Sequence, residues 1–300
     1  MIGRMSTDQI HMSSLDVILD AQARLQRTQE ELATGKRLLS PSDDPVAAAQ
    51  IAEIRSGLVR METYQRNLDS AFSQLAYTES KIASAEESII RIKTLLLQAA
   101  NPTYSVGDRQ AMALEMTAMR DHILSLANSQ DANGDFTFAG SAVTDAPFQR
   151  QAGEITYLGD QIAREMNVAP GLTISPQLTG DEVFGSNDPS NIDVFSVLDA
   201  AITAVENNDQ ATINSAISAV DEGAEQIFQS RSEIGVRMNR VDDQKSLNDS
   251  AILSFNKSLS GLEDLDYAKA VSELSSRMLA LESAQKAYAK MQGISLFNYL

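Results

Sequence analysis

The chain has 300 residues, no cysteine and a formal net charge of −17 at pH 7. The lack of cysteine excludes a disulfide scaffold, a thiolate nucleophile and a Cys-ligated zinc site, and the acidic balance excludes nucleic acid as a main partner. Aromatic residues make up only 5% and Trp is absent, which favours an aliphatic core between helices over a β-sandwich.

The N-terminal residues contain no apolar run of the kind that forms a signal peptide. No segment approaches the roughly 18–20 apolar residues that a membrane span needs. We therefore expect no membrane partner, and export would have to use a route that does not read such a signal.

The first predicted helix covers residues 8–34 and ends at Gly35, since glycine is favoured just after a helix. Its seam is apolar in part and glutamine in part, at Leu15, Ile18, Gln22, Leu25, Gln29 and Leu32. After a break at residues 40–42, Asp44 is predicted to cap a helix that has Pro45 in its first turn.

The second predicted helix, over residues 45–100, carries the clearest pattern. Its seven-residue spacing is apolar throughout, at Ile54, Met61, Leu68, Leu75, Ile82, Ile89 and Leu96. Strict seven-residue spacing over this length indicates a coiled-coil partner. Ser105 and Asp108 then form a capping-box pattern, which predicts a third helix with Met112, Met116, Met119, Ile123 and Leu126 on one face.

The character of the chain changes over residues 131–192, where turn residues separate short β-type runs. The runs fall at 136–140, 147–148, 155–157 and 172–175. They predict small strands and hairpins in an inserted β-rich domain.

Helical patterns return near residue 192. After a short helix to about residue 207, a second long seam follows at Ile213, Val220, Ile227, Ile234, Val241, Asn248, Phe255 and Leu262. Ser260-Gly261 is predicted to interrupt it. A final helix from about Asp264 carries Leu274, Met278, Leu281 and Tyr288, and residues 294–300 form an apolar tail.

The predicted fold is mainly α. The N- and C-terminal flanks pair into a long antiparallel, coiled-coil-like helical rod that carries the β-rich insert. The predicted domains are a terminal helical domain of residues 1–40 with 262–300, a rod domain of residues 41–130 with 193–261, and an outer domain of residues 131–192.

Several motifs resemble one known family. Residues 32–37 (Leu-Ala-Thr-Gly-Lys-Arg) and 41–48 (Pro-Ser-Asp-Asp-Pro-Val-Ala-Ala) closely resemble the N-terminal signature of the flagellar hook-associated protein 3 family, the hook–filament junction branch of the flagellin superfamily. Residues 64–71, 234–241, 264–268 and 295–300 are similar to further motifs of that family. Pro45 and the tail both depart from the usual flagellin sequence.

The resemblance implies a structural role outside the cell, in the bacterial flagellum. It implies export through the flagellar type III apparatus without a cleaved signal, with the help of a flagellar export chaperone. It also implies assembly as a ring of copies between hook-associated protein 1 and the flagellin filament.

No residue pattern indicates catalysis, a cofactor or a metal site. His11 and His122 stand outside any motif, and Asp43-Asp44 is better explained by turn formation and helix capping than by acid–base chemistry. Asp131-x-Asn133-Gly134 is similar to a calcium loop, but its glycine comes too early, so a turn is expected. We therefore predict that the chain is not an enzyme.

The functional residues are expected on the terminal helices. Gln22, Gln29 and Gln285 dilute their seams, so the two helices alone would bury too little apolar surface to offset their chain entropy. We therefore predict that they pack against neighbouring subunits, although a polar position that only sets the register is the alternative. The predicted subunit-interface residues are Leu15, Ile18, Leu25, Leu32, Leu274, Met278, Leu281, Tyr288, Leu296 and Phe297.

Three other functions stay open at the level of sequence. A minor flagellin subunit would share the same fold and would lie along the filament. A cytoplasmic coiled-coil adaptor would remain in the cell, and an enzyme would need a polar pocket within residues 131–192.

Overall fold

A computed structural model describes the backbone of residues 7–151, 153–185 and 191–293. The fold is mainly α, as predicted, with two small hairpins. Its elements are α1 (Thr7–Thr34), α2 (Pro45–Ala99), α3 (Val106–Ala127), β1 (Phe148–Gln151), β2 (Glu154–Tyr157), β3 (Met166–Ala169), β4 (Leu172–Ile174), α4 (Gly180–Phe184), α5 (Val194–Glu206), α6 (Gln210–Glu263) and α7 (Tyr267–Gly293).

The chain forms two compact units. Unit 1 comprises Met1–Arg60 and Ala251–Leu300, and unit 2 comprises Met61–Ser250. Both units therefore combine residues from the two flanks of the sequence. The finer three-domain division drawn from the sequence stays a prediction.

The two long seams form the core of unit 2. Arg231 of α6 pairs with Glu86 of α2 at 2.9 Å, and Lys245 of α6 pairs with Asp69 of α2 at 2.8 Å. Since the α6 numbers rise as the α2 numbers fall, the two helices run antiparallel in this unit. Both predicted columns are fully buried here, at Leu68, Leu75, Ile82, Ile89 and Leu96 in α2 and at Ile213, Val220, Ile227, Ile234 and Val241 in α6.

The hairpin region of unit 2 packs on an aromatic cluster. Strands β1 and β2 pair antiparallel, as do β3 and β4. Phe148 lies at the centre of the cluster, with ring centroids 5.1 Å from Tyr157, 5.6 Å from Phe184 and 5.2 Å from Phe195. These rings belong to the same buried cluster as the α2 and α6 columns, so the hairpins and the long helices share one core.

The helix starts follow the predicted capping chemistry. The backbone N–H of Ala47 donates to Asp44 Oδ1 at 3.0 Å, which satisfies one of the free donors of the first turn of α2. At α3, Ser105 and Asp108 bond each other's backbone in a full capping box. Both predicted caps are therefore confirmed.

Two predictions about local structure were wrong. Residues 136–140 form no strand. Phe136 makes only an isolated bridge with Gln130, and the Phe138 carbonyl accepts from the N–H of Gly180. Secondly, Ser260-Gly261 does not break its helix, because α6 runs on to Glu263. A single glycine costs a helix only about 1 kcal/mol, which packing can offset.

One additional helix and one helix start in the C-terminal half also differ from expectation. The short helix α4, which follows the capping residue Thr179, was not predicted. The final helix begins at Tyr267 rather than near Asp264, and Asp266 Oδ1 accepts the Lys269 N–H at 3.1 Å as its cap.

In unit 1 the helices α1 and α7 lie antiparallel, joined at one end by two turns. Leu265 N–H donates to the Gly35 carbonyl at 3.0 Å, and Arg37 N–H donates to the Glu263 carbonyl at 2.8 Å. Gly35 has φ of +70°, and an added Cβ there would lie 2.7 Å from the Tyr267 hydroxyl. Only glycine fits this turn without strain.

Candidate subunit interface

Unit 1 buries very few apolar side chains. Among its residues with described side chains, the buried hydrophobic ones are Ala47, Ile51 and Ala270. It also holds more than half of the exposed large hydrophobic side chains of the described chain, although it contains little more than a third of the residues. A soluble unit with this imbalance has apolar surface available for another molecule.

The seam of helix α1 consists of two columns, each a row of residues spaced seven positions apart along one side of the helix. One column is half-buried and the other is exposed. Ile18, Leu25 and Leu32 are half-buried, whereas Leu15 is 45% exposed. Gln22 and Gln29, which continue the Leu15 column, are exposed as well. The α1–α7 pair therefore uses half of the seam.

Helix α7 repeats the arrangement of α1. Leu274, Leu281 and Tyr288 are half-buried, while Met278 is 54% exposed. Gln285 follows Met278 in the exposed column. Of the remaining predicted interface residues, Leu296 and Phe297 lie outside the described part of the chain.

Sequence reasoning missed several exposed apolar side chains on the same helices. Met12 and Leu19 stand one column beyond Leu15 on α1. Val271 stands in the Met278 column of α7; it was predicted on the apolar side of the final helix but not as an interface residue. Their seven-residue spacing, Met12 to Leu19 and Val271 to Met278, was visible in the sequence. The apolar stripe is therefore wider than the predicted seam, as expected for a helix with more than one neighbour.

A polar contact holds α1 to α7. Arg277 Nη1 donates to Thr28 Oγ1 at 2.5 Å and to the Arg24 carbonyl at 2.8 Å. Thr28 is fully buried, and Glu273 accepts from Arg277 Nη2 at 3.1 Å. The guanidinium thus supplies a specific contact where the apolar packing is thin.

Ion pairs hold the two turns that join α1 and α7 to the rest of unit 1. Glu263, which is buried, accepts from Lys36 and from Arg55 Nη2, the latter at 2.7 Å. The Lys36 ammonium, with Arg55, holds the pKa of the Glu263 carboxyl below its ordinary value. These contacts join the loop after α1, the start of α2 and the end of α6.

The loop after α1 is also held by a carboxylate. Asp43 Oδ2 accepts the N–H of Ser40 at 3.1 Å and the N–H of Leu39 at 3.2 Å, and Asp43 pairs with Arg27 at 3.0 Å. The Ser40 hydrogen bond is the main reason that the pKa of Asp43 is lowered, with Arg27 acting in the same direction. Asp43 therefore has the turn-forming role expected from the sequence.

The chain matches flagellar proteins over both flanks. The model of the bacterial flagellin N-terminal helical region matches residues 5–143, and that of the C-terminal helical region matches residues 217–300. The chain is also 28% identical to flagellar hook-associated protein 3 of Escherichia coli strain K12, over 98% of this chain and 99% of that protein. The chain belongs to the hook-associated protein 3 family of the flagellin superfamily.

Solved structures agree with this family. A flagellar hook-associated protein from Vibrio parahaemolyticus is 27% identical, with a TM-score of 0.69, and the match covers 74% of this chain and 100% of that one. Flagellar hook-associated protein-3 from Legionella pneumophila shares the fold, with 19% identity, a TM-score of 0.65 and coverage of 71% and 98%.

Family membership establishes the general role of the chain. Members of the flagellin superfamily are structural components of the flagellum, and this chain is therefore a flagellar structural subunit. The resemblance seen in residues 32–48 is confirmed. The interface residues themselves stay a prediction, which the exposure of Leu15 and Met278 supports.

Proposed function

We propose that the chain is a subunit of the junction between the flagellar hook and the flagellin filament. In this role it contacts hook-associated protein 1 on one side, flagellin on the other, and copies of itself in a ring. Residues 1–40 and 262–300 form the wall of the tube, and residues 131–192 face solvent.

The observation that carries the proposal is the half-used seam of unit 1. Leu15 and Met278 are exposed in the columns next to the half-buried ones, and a second helix pair could complete them by knobs-into-holes packing. The names of the relatives in Escherichia coli and Vibrio parahaemolyticus support the hook-proximal location. A repeated contact between different surfaces closes as a ring or continues as a filament.

The same proposal includes how the subunit reaches its place. It is exported through the flagellar type III apparatus without a cleaved signal, is accompanied by an export chaperone inside the cell, and ends outside the cell. It carries out no catalysis. Its function is the packing of helices between subunits.

Localisation tests this function directly. Flagella are sheared from cells that produce the epitope-tagged chain in place of the native gene, and the tag is located by immunogold electron microscopy. We expect label at the hook-proximal end alone, together with restored filaments and swimming.

The other outcomes separate the alternatives. Label along the whole filament would identify a minor flagellin. Label retained in the cell, with no change in filaments when the gene is deleted, would identify a cytoplasmic adaptor and would refute the proposal.

A further inference from the structure

Unit 1 contains an apolar groove beside the two turns, separate from the exposed columns of α1 and α7. It has a volume of about 360 Å³. The loop after α1 and one face of α2 form it, with the apolar lining residues Leu38, Leu39, Pro41, Ala48, Ile51 and Ala52. Because Asp43 and Arg27 fix the loop, the groove is a built feature of the fold.

The charged rim of the groove is internally paired. Lys36 and Arg55 both bind Glu263, so three charged side chains leave one net positive charge. In a chain with a net charge of −17, most of the surface would be repelled by a neighbouring copy. At this rim an uncharged apolar segment meets no such repulsion and finds no unpaired carboxylate to desolvate.

The chain itself contains a segment of matching chemistry. Residues 294–300 (Ile-Ser-Leu-Phe-Asn-Tyr-Leu) carry no charged side chain and include five large apolar or aromatic ones. Aromatic and aliphatic anchors of this kind bind best in preformed pockets.

Covalent geometry decides which copy can supply the segment. Helix α7 starts beside the groove. Glu263 lines the groove, and Leu265, two residues before α7, donates a backbone hydrogen bond to Gly35. Its 27 residues carry the chain about 40 Å away, at about 1.5 Å per residue. Seven further residues span at most about 25 Å when fully extended, so they cannot return to the groove of their own chain.

We propose that the groove binds residues 294–300 of a second copy of this chain. The contact is head-to-tail, since the opposite ends of the α1–α7 pair carry the groove and the segment. Such a contact propagates from copy to copy. It rests on the proposed assembly but uses a surface distinct from the Leu15 and Met278 columns.

Cysteine cross-linking tests the proposal cleanly because the chain has no cysteine of its own. Two single variants, Ala52→Cys in the groove and Ser295→Cys in the segment, are produced together in cells lacking the native gene. Isolated flagella are oxidised and examined on a non-reducing gel. We expect a covalent dimer, and a peptide joining positions 52 and 295, since a disulfide requires Cα atoms within about 7 Å.

The matched control is Ala49→Cys with Ser295→Cys. Ala49 is also exposed on α2 but does not line the groove. We expect about tenfold less dimer from this pair, because a cysteine outside the groove lining meets the docked segment less often. Equal dimer from both pairs, or none from the groove pair, overturns the proposal.

A double variant with Ala52→Cys and Ser295→Cys in one chain distinguishes the two possible donors. Docking between copies gives a ladder of covalent multimers, whereas docking within one chain gives a cross-linked monomer and refutes the inference. Failure of the proposed function is visible separately: the unmodified chain would then lie along the whole filament or be absent from flagella, and no cross-linking result would be needed to reject it.

Discussion

Arg277 of α7 donates a hydrogen bond to the buried hydroxyl of Thr28 on α1, across the pair of terminal helices. The hydroxyl itself donates a hydrogen bond to the Arg24 carbonyl, one turn earlier, at 3.0 Å. The contact is therefore fully satisfied and directional. In a helix pair with little buried apolar surface, it sets which residues of α1 and α7 stand opposite each other.

We predict that Arg277→Ala weakens the α1–α7 pair by about 1.5–3 kcal/mol, the range for a hydrogen bond to a charged group. The measurement is amide hydrogen exchange by mass spectrometry, read on peptides from α1 and α7. Lys286→Ala is the control, since Lys286 pairs with Glu282 on the open surface, where such pairs contribute little. Equal exchange in the two variants would contradict the assigned role.

Acid should loosen the turns of unit 1 through Glu263. Lys36 and Arg55 lower the pKa of this carboxyl in the folded chain, so its stabilising contribution is complete above the ordinary glutamate value of about 4.3 and is lost as the pH falls through the lower folded value. We expect exchange around residues 36–55 to differ strongly between the native chain and Glu263→Gln at pH 7. The difference should shrink below pH 4, and a pH-independent difference would show that the carboxylate charge is not the cause.

The buried column of unit 2 should be far more sensitive than its surface. Leu68 is completely buried in α2, whereas Leu247 of α6 is 64% exposed. Leu68→Ala should lower the free energy of unfolding by about 2–5 kcal/mol, through lost burial and a cavity. The same substitution at Leu247 should change it by less than about 0.5 kcal/mol. Urea unfolding followed by circular dichroism compares the two, and similar midpoints would mean that the seam is misassigned.

The exposed column of α7 should matter for assembly and not for the isolated fold. Met278→Asp places a charge where we propose that a neighbour packs, and a buried unpaired carboxylate costs several kcal/mol. In cells lacking the native gene we expect this variant to restore no filaments, while its far-ultraviolet circular dichroism and melting temperature match those of the native chain. Ser276→Asp, on the opposite side of α7, should restore swimming. If the Met278→Asp variant restores filaments, the exposed column of α7 is not part of the interface.

The long seams were predictable from the sequence because their burial repeats every seven residues. Leu68, Leu75 and Ile82 recur at positions that a helix must place on one face, and the structure buries all of them. The capping residues were predictable for a similar reason, since Asp44 and Ser105 act within one turn of their own position.

The aromatic core of unit 2 could not be predicted in the same way. Phe138 lies in an apolar run that resembles a strand, but its ring packs on Phe184 at 5.6 Å and its carbonyl bonds to Gly180. These partners come from a distant part of the chain, and β-propensity reports only how well a side chain fits a pleated surface. No local periodicity encodes such a contact.

The candidate interface was predictable only in outline. The glutamines at positions 22, 29 and 285 indicate an incomplete seam, but they do not tell which column the α1–α7 pair uses. That choice depends on packing between two helices more than 200 residues apart in the sequence. The structure separates the half-buried Ile18 column from the exposed Leu15 column.

The scarcity of buried side chains in unit 1 makes its stability a question of mass action. A surface that gains partners only on assembly is stabilised by RT ln(1 + [L]/Kd), where L is the neighbouring subunit. Unit 2, with its continuous core, has no such dependence. Raising the subunit concentration would therefore increase the melting temperature of the terminal helices and leave that of the long buried seams unchanged. One polypeptide would then contain a region whose stability depends on subunit concentration and a region whose stability does not.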